Sequence, residues 1–174
     1  GDYVSRLEDF QVHEHNFETL KKLQDRGYLL LIATNQGGLA KGWYTEEILK
    51  QMHDHLQDEY AKHGIQITDI YFCPHHPNFT GECDCRKPKP GMLLRGVAEH
   101  NIDPAKSYFI GDKTTDVEAA EAAGMTGIKI DIDQPLGEIL HLIDWGAKSK
   151  DKRAKNKDQG SKSKDKRSKS KDEG

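Results

Sequence analysis

The chain has 174 residues, 34% of them apolar and 32% charged, and a net charge of −3 at pH 7. That length fits one domain. No apolar run approaches the roughly 20 residues of a membrane-spanning helix, and no signal-peptide pattern is present. All three cysteines fall between positions 73 and 85, an odd number in a short span. This argues against a disulfide framework and for a metal site in a reducing compartment, the cytoplasm.

In chain order, residues 13–26 read as a helix with Phe17, Leu20 and Leu23 on one face and Gly27 as its stop. "YLLLIAT" (28–34) reads as a buried strand. Thr45 caps a helix running to His63, with Ile48, Met52, Leu56 and Tyr60 as its apolar stripe and Gly64 at its end. "DIYFC" (69–73) is the next strand, and Pro90 opens a helix through His100. "SYFIG" (107–111) is a strand, "TDVEAAEAA" a helix closed by Gly124, "TGIKID" a strand and "LGEILHLIDW" an amphipathic helix. Strands separated by helices imply βαβ crossovers, hence an α/β fold with a three-layer, doubly wound parallel sheet.

From Lys148 on, a seven-residue repeat sets Asp151, Asp158, Asp165 and Asp172 in register. It holds twelve basic and five acidic residues, so a body (1–147) of charge −10 carries a tail of +7. A coiled coil needs two apolar positions per heptad, and Ala154 is the one apolar side chain here. Residues 148–174 are therefore expected to be disordered. Without aromatics for base stacking, a solubilising tail is preferred to a nucleic-acid or membrane contact.

Ligands of such sheets bind beyond the carboxyl ends of the strands, and three strand ends here carry chemically able residues. The first is "TNQGG", where a hydroxyl, an amide and free backbone N–H groups can hold a phosphate; such clusters are also ordinary turns. The second is "CPHHPNFTGECDCRKPKPG". Cys73-Pro-His75 and Cys83-Asp-Cys85 supply two ligand pairs with a one-residue spacer, a Cys3His set suited to structural zinc. His76 is the competing imidazole, and reduced cysteines beside surface histidines are the plain alternative. Arg86, Lys87 and Lys89 would offset the negative charge of three thiolates, and a lysine fixed before a proline can hold a phosphoryl oxygen. The third is "GDKTTD", whose Asp112 suits Mg2+, with Asp116 either a second ligand or a helix cap.

Hydroxyl and amide, then lysine, then Gly-Asp at successive strand ends resemble the later motifs of the haloacid dehalogenase (HAD) superfamily of phosphatases. "GDYVSRLEDF", "TNQGGLAKGWYTEE", "YFCPHHP", "CDCRKPKPGML" and "YFIGDKTTDVEAAEAAGM" are similar, over residues 1 to about 145, to its capless heptose-bisphosphate phosphatase branch, a near relative of the histidinol-phosphate phosphatases. The resemblance implies that Thr34, Asn35, Arg86, Lys87 and Lys113 surround the phosphate and substrate. It also implies that Asp112 binds Mg2+, that Cys73, His75, Cys83 and Cys85 hold zinc, and that the loop from Gly37 meets the sugar. The protein would be a monomer acting on a small sugar phosphate.

Such enzymes attack with the first aspartate of an Asp-x-Asp-Gly-Thr motif and use the second as general acid and base. That motif is absent; Asp2 and Asp9 neither follow an apolar strand nor precede Gly-Thr. The nucleophile is therefore expected upstream of Gly1, together with the opening central strand. Without that strand, exposed sheet edges should leave the chain poorly stable. A catalytically dead phosphate-binding scaffold and a polyanion-binding module are the competing readings.

Overall fold

The computed structural model describes residue 10 and residues 12–143. The basic repeat, Asp2, Asp9 and the end of the last predicted helix lie outside the described residues. After a 3-10 turn at Glu14–Asn16 come α1 (Phe17–Asp25), β1 (Leu30–Asn35), α2 (Gly37–Ala40), α3 (Glu46–Lys62), β2 (Ile67–Cys73) and α4 (Pro77–Thr80). Then follow α5 (Gly91–His100), β3 (Tyr108–Gly111), α6 (Thr114–Ala122), β4 (Thr126–Lys129) and a 3-10 segment at Leu136–Leu142. The expected α/β order is present, and Thr45 caps α3 by accepting the Ile48 N–H at 3.3 Å.

The strands pair in parallel as β1 with β2 and β3 with β4. Alternation along β2 sends its side chains to two layers. Tyr71 and Cys73 pack with Met92 of α5, whereas the Phe72 ring lies 5.7 Å from His53 of α3. Leu31 and Ala33 of β1 join the α5 side. Ala33 and Phe109 of β3 then rest on one shared floor built from Leu93 of α5 and Ala119 and Ala123 of α6. The two strand pairs thus stand over common helices, yet neither β1 nor β3 has a second strand partner among the described residues.

That arrangement corrects the expectation of a buried first strand. Every residue of Leu30–Asn35 is only half-buried, as it must be when one ladder edge lacks a neighbouring strand. The α3 stripe also shifts: Leu49 and Met52 are buried, whereas Ile48, Leu56 and Tyr60 are half-buried. The last predicted α-helix forms 3-10 turns instead, with Ile139 and Ile143 buried. Gly137, set so closely against Thr19 that an added Cβ would meet its Oγ1 at 3.3 Å, weakens a helix there and favours docking on α1.

On the α5 face of β2, Asp69 meets Glu99 and His100 of α5. These groups are already matched: Tyr71 donates to Glu99 at 2.7 Å, Arg95 donates to Glu99 at 2.8 Å, and His100 pairs with Asp69 at 3.2 Å. They tie α5 to the strand that carries Cys73.

Candidate active site and metal centre

β2 ends in Cys73, fully buried beneath Met92. The chain leaves the strand, turns through α4 and returns, so that His75, Cys83 and Cys85 face Cys73. The sulfurs lie 3.6 Å (73–83), 3.1 Å (73–85) and 3.5 Å (83–85) apart. His75 Nδ1 is 3.7 Å from Cys73 Sγ and 3.4 Å from Cys85 Sγ. Four ligands at about 2.3 Å from a tetrahedral zinc would stand roughly 3.8 Å apart, so the quartet nearly has the required spacing. His76 is not part of it; its Nδ1 accepts the Asn78 N–H at 3.2 Å and caps α4. Burial, then the neighbouring sulfurs, push the Cys85 thiol up to about 12. Burial also raises the Cys73 thiol. Protons held this firmly leave when a soft divalent cation replaces them.

Immediately after the quartet, Arg86 donates to the His75 carbonyl at 2.9 Å. Lys87 precedes a cis peptide bond to Pro88 and is gripped at both ends. Its backbone N–H donates to Asn35 Oδ1 at 3.0 Å, and its carbonyl accepts from Asn35 Nδ2 at 3.1 Å. Its ammonium donates to the Ala33 carbonyl at 2.8 Å, pairs with Asp116 Oδ1 at 2.7 Å and lies 5.1 Å from the centre of the Phe109 ring. Asp116 is itself buried, and its second oxygen accepts the Lys113 N–H at 3.0 Å, closing the first turn of α6. Asp116 thus makes the cap contact expected of it and, in addition, pairs with Lys87.

Asp112 and Lys113 follow β3 directly and are exposed; Asp112 has no hydrogen-bond or ion-pair partner among the described residues. An exposed carboxylate at a strand end offers a hard oxygen ligand to a cation, and the half-buried Lys87 ammonium offers a positive group to an anion. Thr34 accepts from Gln36 Nε2 at 3.1 Å, and Gln36 Oε1 accepts from the buried Tyr44 hydroxyl at 2.5 Å. The Asn35 side chain, expected at the phosphate or substrate, meets the Lys87 backbone through one bond from its nitrogen and one to its oxygen.

Sequence reading missed Gln36, Tyr44 and the glycines that admit these contacts. At Gly38 a Cβ would meet the Tyr44 ring at 2.3 Å. At Gly91 it would meet the Asp84 carbonyl oxygen at 2.3 Å, which is why the metal loop can lie against the start of α5. At Gly111 it would stand 2.3 Å from Asp116 Oδ2. Gly111→Ala should therefore displace Asp116 and cost about 1–3 kcal/mol in urea unfolding; a shift in midpoint below experimental error would contradict this packing.

A family model described as HAD-hydrolase-like matches residues 84–132. The chain is 45% identical over 131 residues to the D-glycero-beta-D-manno-heptose-1,7-bisphosphate 7-phosphatase of Haemophilus ducreyi, covering 71% of this chain and 70% of that one. It is 44% identical over 117 residues to the D-glycero-alpha-D-manno-heptose-1,7-bisphosphate 7-phosphatase of Campylobacter jejuni, covering 67% and 66%. The crystal structure of a D,D-heptose 1,7-bisphosphate phosphatase from B. bronchiseptica, complexed with magnesium and phosphate, superimposes with a TM-score of 0.67 at 30% identity. That match covers 72% of this chain and 69% of the other. The chain belongs to the D-glycero-D-manno-heptose-1,7-bisphosphate 7-phosphatase family of HAD-like phosphatases.

Proposed function

We propose that the protein is a phosphoric monoester hydrolase that converts D-glycero-D-manno-heptose 1,7-bisphosphate to the 1-phosphate. The observation that carries this reading is the half-buried Lys87 ammonium, held by the Ala33 carbonyl of β1 and by Asp116 of α6, together with the exposed Asp112 that follows β3. The reported relatives are named for the heptose bisphosphate, with either anomer, and not for histidinol phosphate. The dead-scaffold reading explains the phosphate cradle but gives the exposed Asp112 no use.

In the proposed site Thr34 and Lys87 hold the transferring phosphoryl oxygens, and Arg86 and Lys113 add positive charge at its rim. Asp112 is the Mg2+ ligand, in accord with the magnesium and phosphate bound by the B. bronchiseptica relative. When bound, the metal neutralises phosphoryl charge. Lys41, over the exposed ring of Trp43 at 4.2 Å, faces the sugar and its second phosphate. Positive charge there is supported by His76, which titrates below its ordinary range through desolvation and then through Lys41 and Arg86. Cys73, His75, Cys83 and Cys85 hold a structural Zn2+, because all four positions of a tetrahedron are protein atoms.

The attacking carboxylate belongs to an Asp-x-Asp-Gly-Thr strand, which this sequence does not contain. The partnerless edges of β1 and β3 over a shared helical floor support the position of such a strand between them. We take the enzyme to be a cytoplasmic monomer, with 1–147 as its catalytic domain and 148–174 as a solubilising tail. No helix among the described residues is long and apolar enough to cross a membrane. The test is phosphate release from the heptose bisphosphate with Mg2+. The 174-residue chain should be inactive, and fusion of an apolar strand ending in Asp-x-Asp-Gly-Thr should confer activity. Turnover by the unfused chain that disappears in Asp112→Ala would overturn the proposed origin of the nucleophile.

A further inference from the structure

An ammonium group has three donors and a freely rotating stem. Left alone, Lys87 would sample many directions, and binding a phosphate would cost the entropy of choosing one. The contacts around it remove that freedom from three elements at once. Asn35, at the end of β1, meets both the N–H and the C=O of Lys87, so the backbone can neither slide nor rotate. Asp116, in the first turn of α6, takes one ammonium donor, and the Ala33 carbonyl takes another. Asp116 is in turn fixed by the Lys113 N–H and by its packing on Gly111. The Lys87 side chain is left only 12% exposed and that of Asp116 5%.

We propose that Asn35 and Asp116 are positioning residues whose shared task is to aim Lys87, leaving one ammonium donor for a phosphoryl oxygen. Neither touches the phosphate. Adjacent strand residues point to opposite sides, so β1 divides its last two positions between the anion (Thr34) and the lysine that meets the anion (Asn35). The assignment rests on the phosphate-site reading above, and it makes a prediction that a pair of independent phosphate ligands would not.

The test is a double-mutant cycle on the full chain, read by binding of inorganic phosphate in the presence of Mg2+. Asn35→Ala and Asp116→Ala should each weaken phosphate binding roughly tenfold in the otherwise unchanged chain. Each should change it less than about twofold when Lys87 is already alanine, because a residue acting through Lys87 has nothing left to aim. Tenfold losses that persist in the Lys87→Ala background would overturn the proposal. Hydrogen exchange tests the clamp without any ligand. Asn35→Ala should speed exchange of the Lys87 amide at least about tenfold and leave the α3 amides unchanged. Asn35→Asp, which keeps the acceptor, should retain most of the protection. An unaltered Lys87 amide in Asn35→Ala would refute the clamp. If the unsubstituted chain binds no phosphate, the phosphate-site reading fails, and the exchange result still decides the clamp.

Discussion

Replacing Cys85 by alanine is expected to abolish stoichiometric zinc and to lower the melting temperature by about 10 °C or more. This corresponds to a loss of ~3–5 kcal/mol for a domain of this size. The size of the effect follows from how little apolar burial the loop has: between Cys73 and Gly91, Cys73 is the one buried side chain. From Cys73 to Cys85 it is held by the converging donors and the contact of Gly91 with Asp84, and beyond Cys85 by the Arg86 and Lys87 contacts. The same loop presents Arg86 and Lys87, so phosphate binding should fall with zinc content. The metal-free protein should also become alkali-sensitive. Below pH 9 Cys85 holds its proton in both folded and unfolded chains. From its ordinary 9.0 up to about 12 the unfolded chain gives the proton up and the folded chain retains it, so stability falls as pH rises through that window. With zinc bound the thiolates are already formed, and the sensitivity moves to acid, where protons compete for the sulfurs. Melting curves with and without chelator between pH 5 and 11 check both signs; coincident curves would contradict a zinc-stapled loop.

Replacing Lys87 by methionine should damage the protein twice. It leaves the buried Asp116 carboxylate without its counter-ion, at a cost of about 3–5 kcal/mol. It also removes the charge that meets the phosphoryl group, which should lower turnover of the strand-completed enzyme by at least about a hundredfold. The two losses separate in the Lys87→Met, Asp116→Asn double variant. Without a buried charge left unpaired, most of the stability should return, whereas activity should not. Recovery of both together would mean that Lys87 serves the fold and not the chemistry.

Much of this was legible in the residues. One-residue spacers in Cys73-Pro-His75 and Cys83-Asp-Cys85 encode a four-donor set, since alternate residues of an extended segment share a side. Turn glycines and the Thr45 cap mark where helices begin and end. Other features depend on neighbours far along the chain. The pattern of "YLLLIAT" records a strand meant to be covered, not whether its second edge has a partner. The ion pair of Asp116 with Lys87, 29 positions away, is likewise hidden in the local sequence. The Asn35 contact with the Lys87 backbone joins residues 52 positions apart, which no local pattern encodes. The 3-10 turns at Leu136–Leu142 arise from tight docking of Gly137 on Thr19, which apolar spacing does not encode.

The fixed Lys87 and the exposed Asp112 are proposed as half of a phosphomonoesterase site. The most direct test follows D-glycero-D-manno-heptose 1,7-bisphosphate by phosphorus NMR with Mg2+ and the chain fused to an Asp-x-Asp-Gly-Thr strand. The C7 phosphate should be lost and the C1 phosphate retained, with no release by the same fusion carrying Asp112→Ala. Release from C1, or release that survives Asp112→Ala, would contradict it.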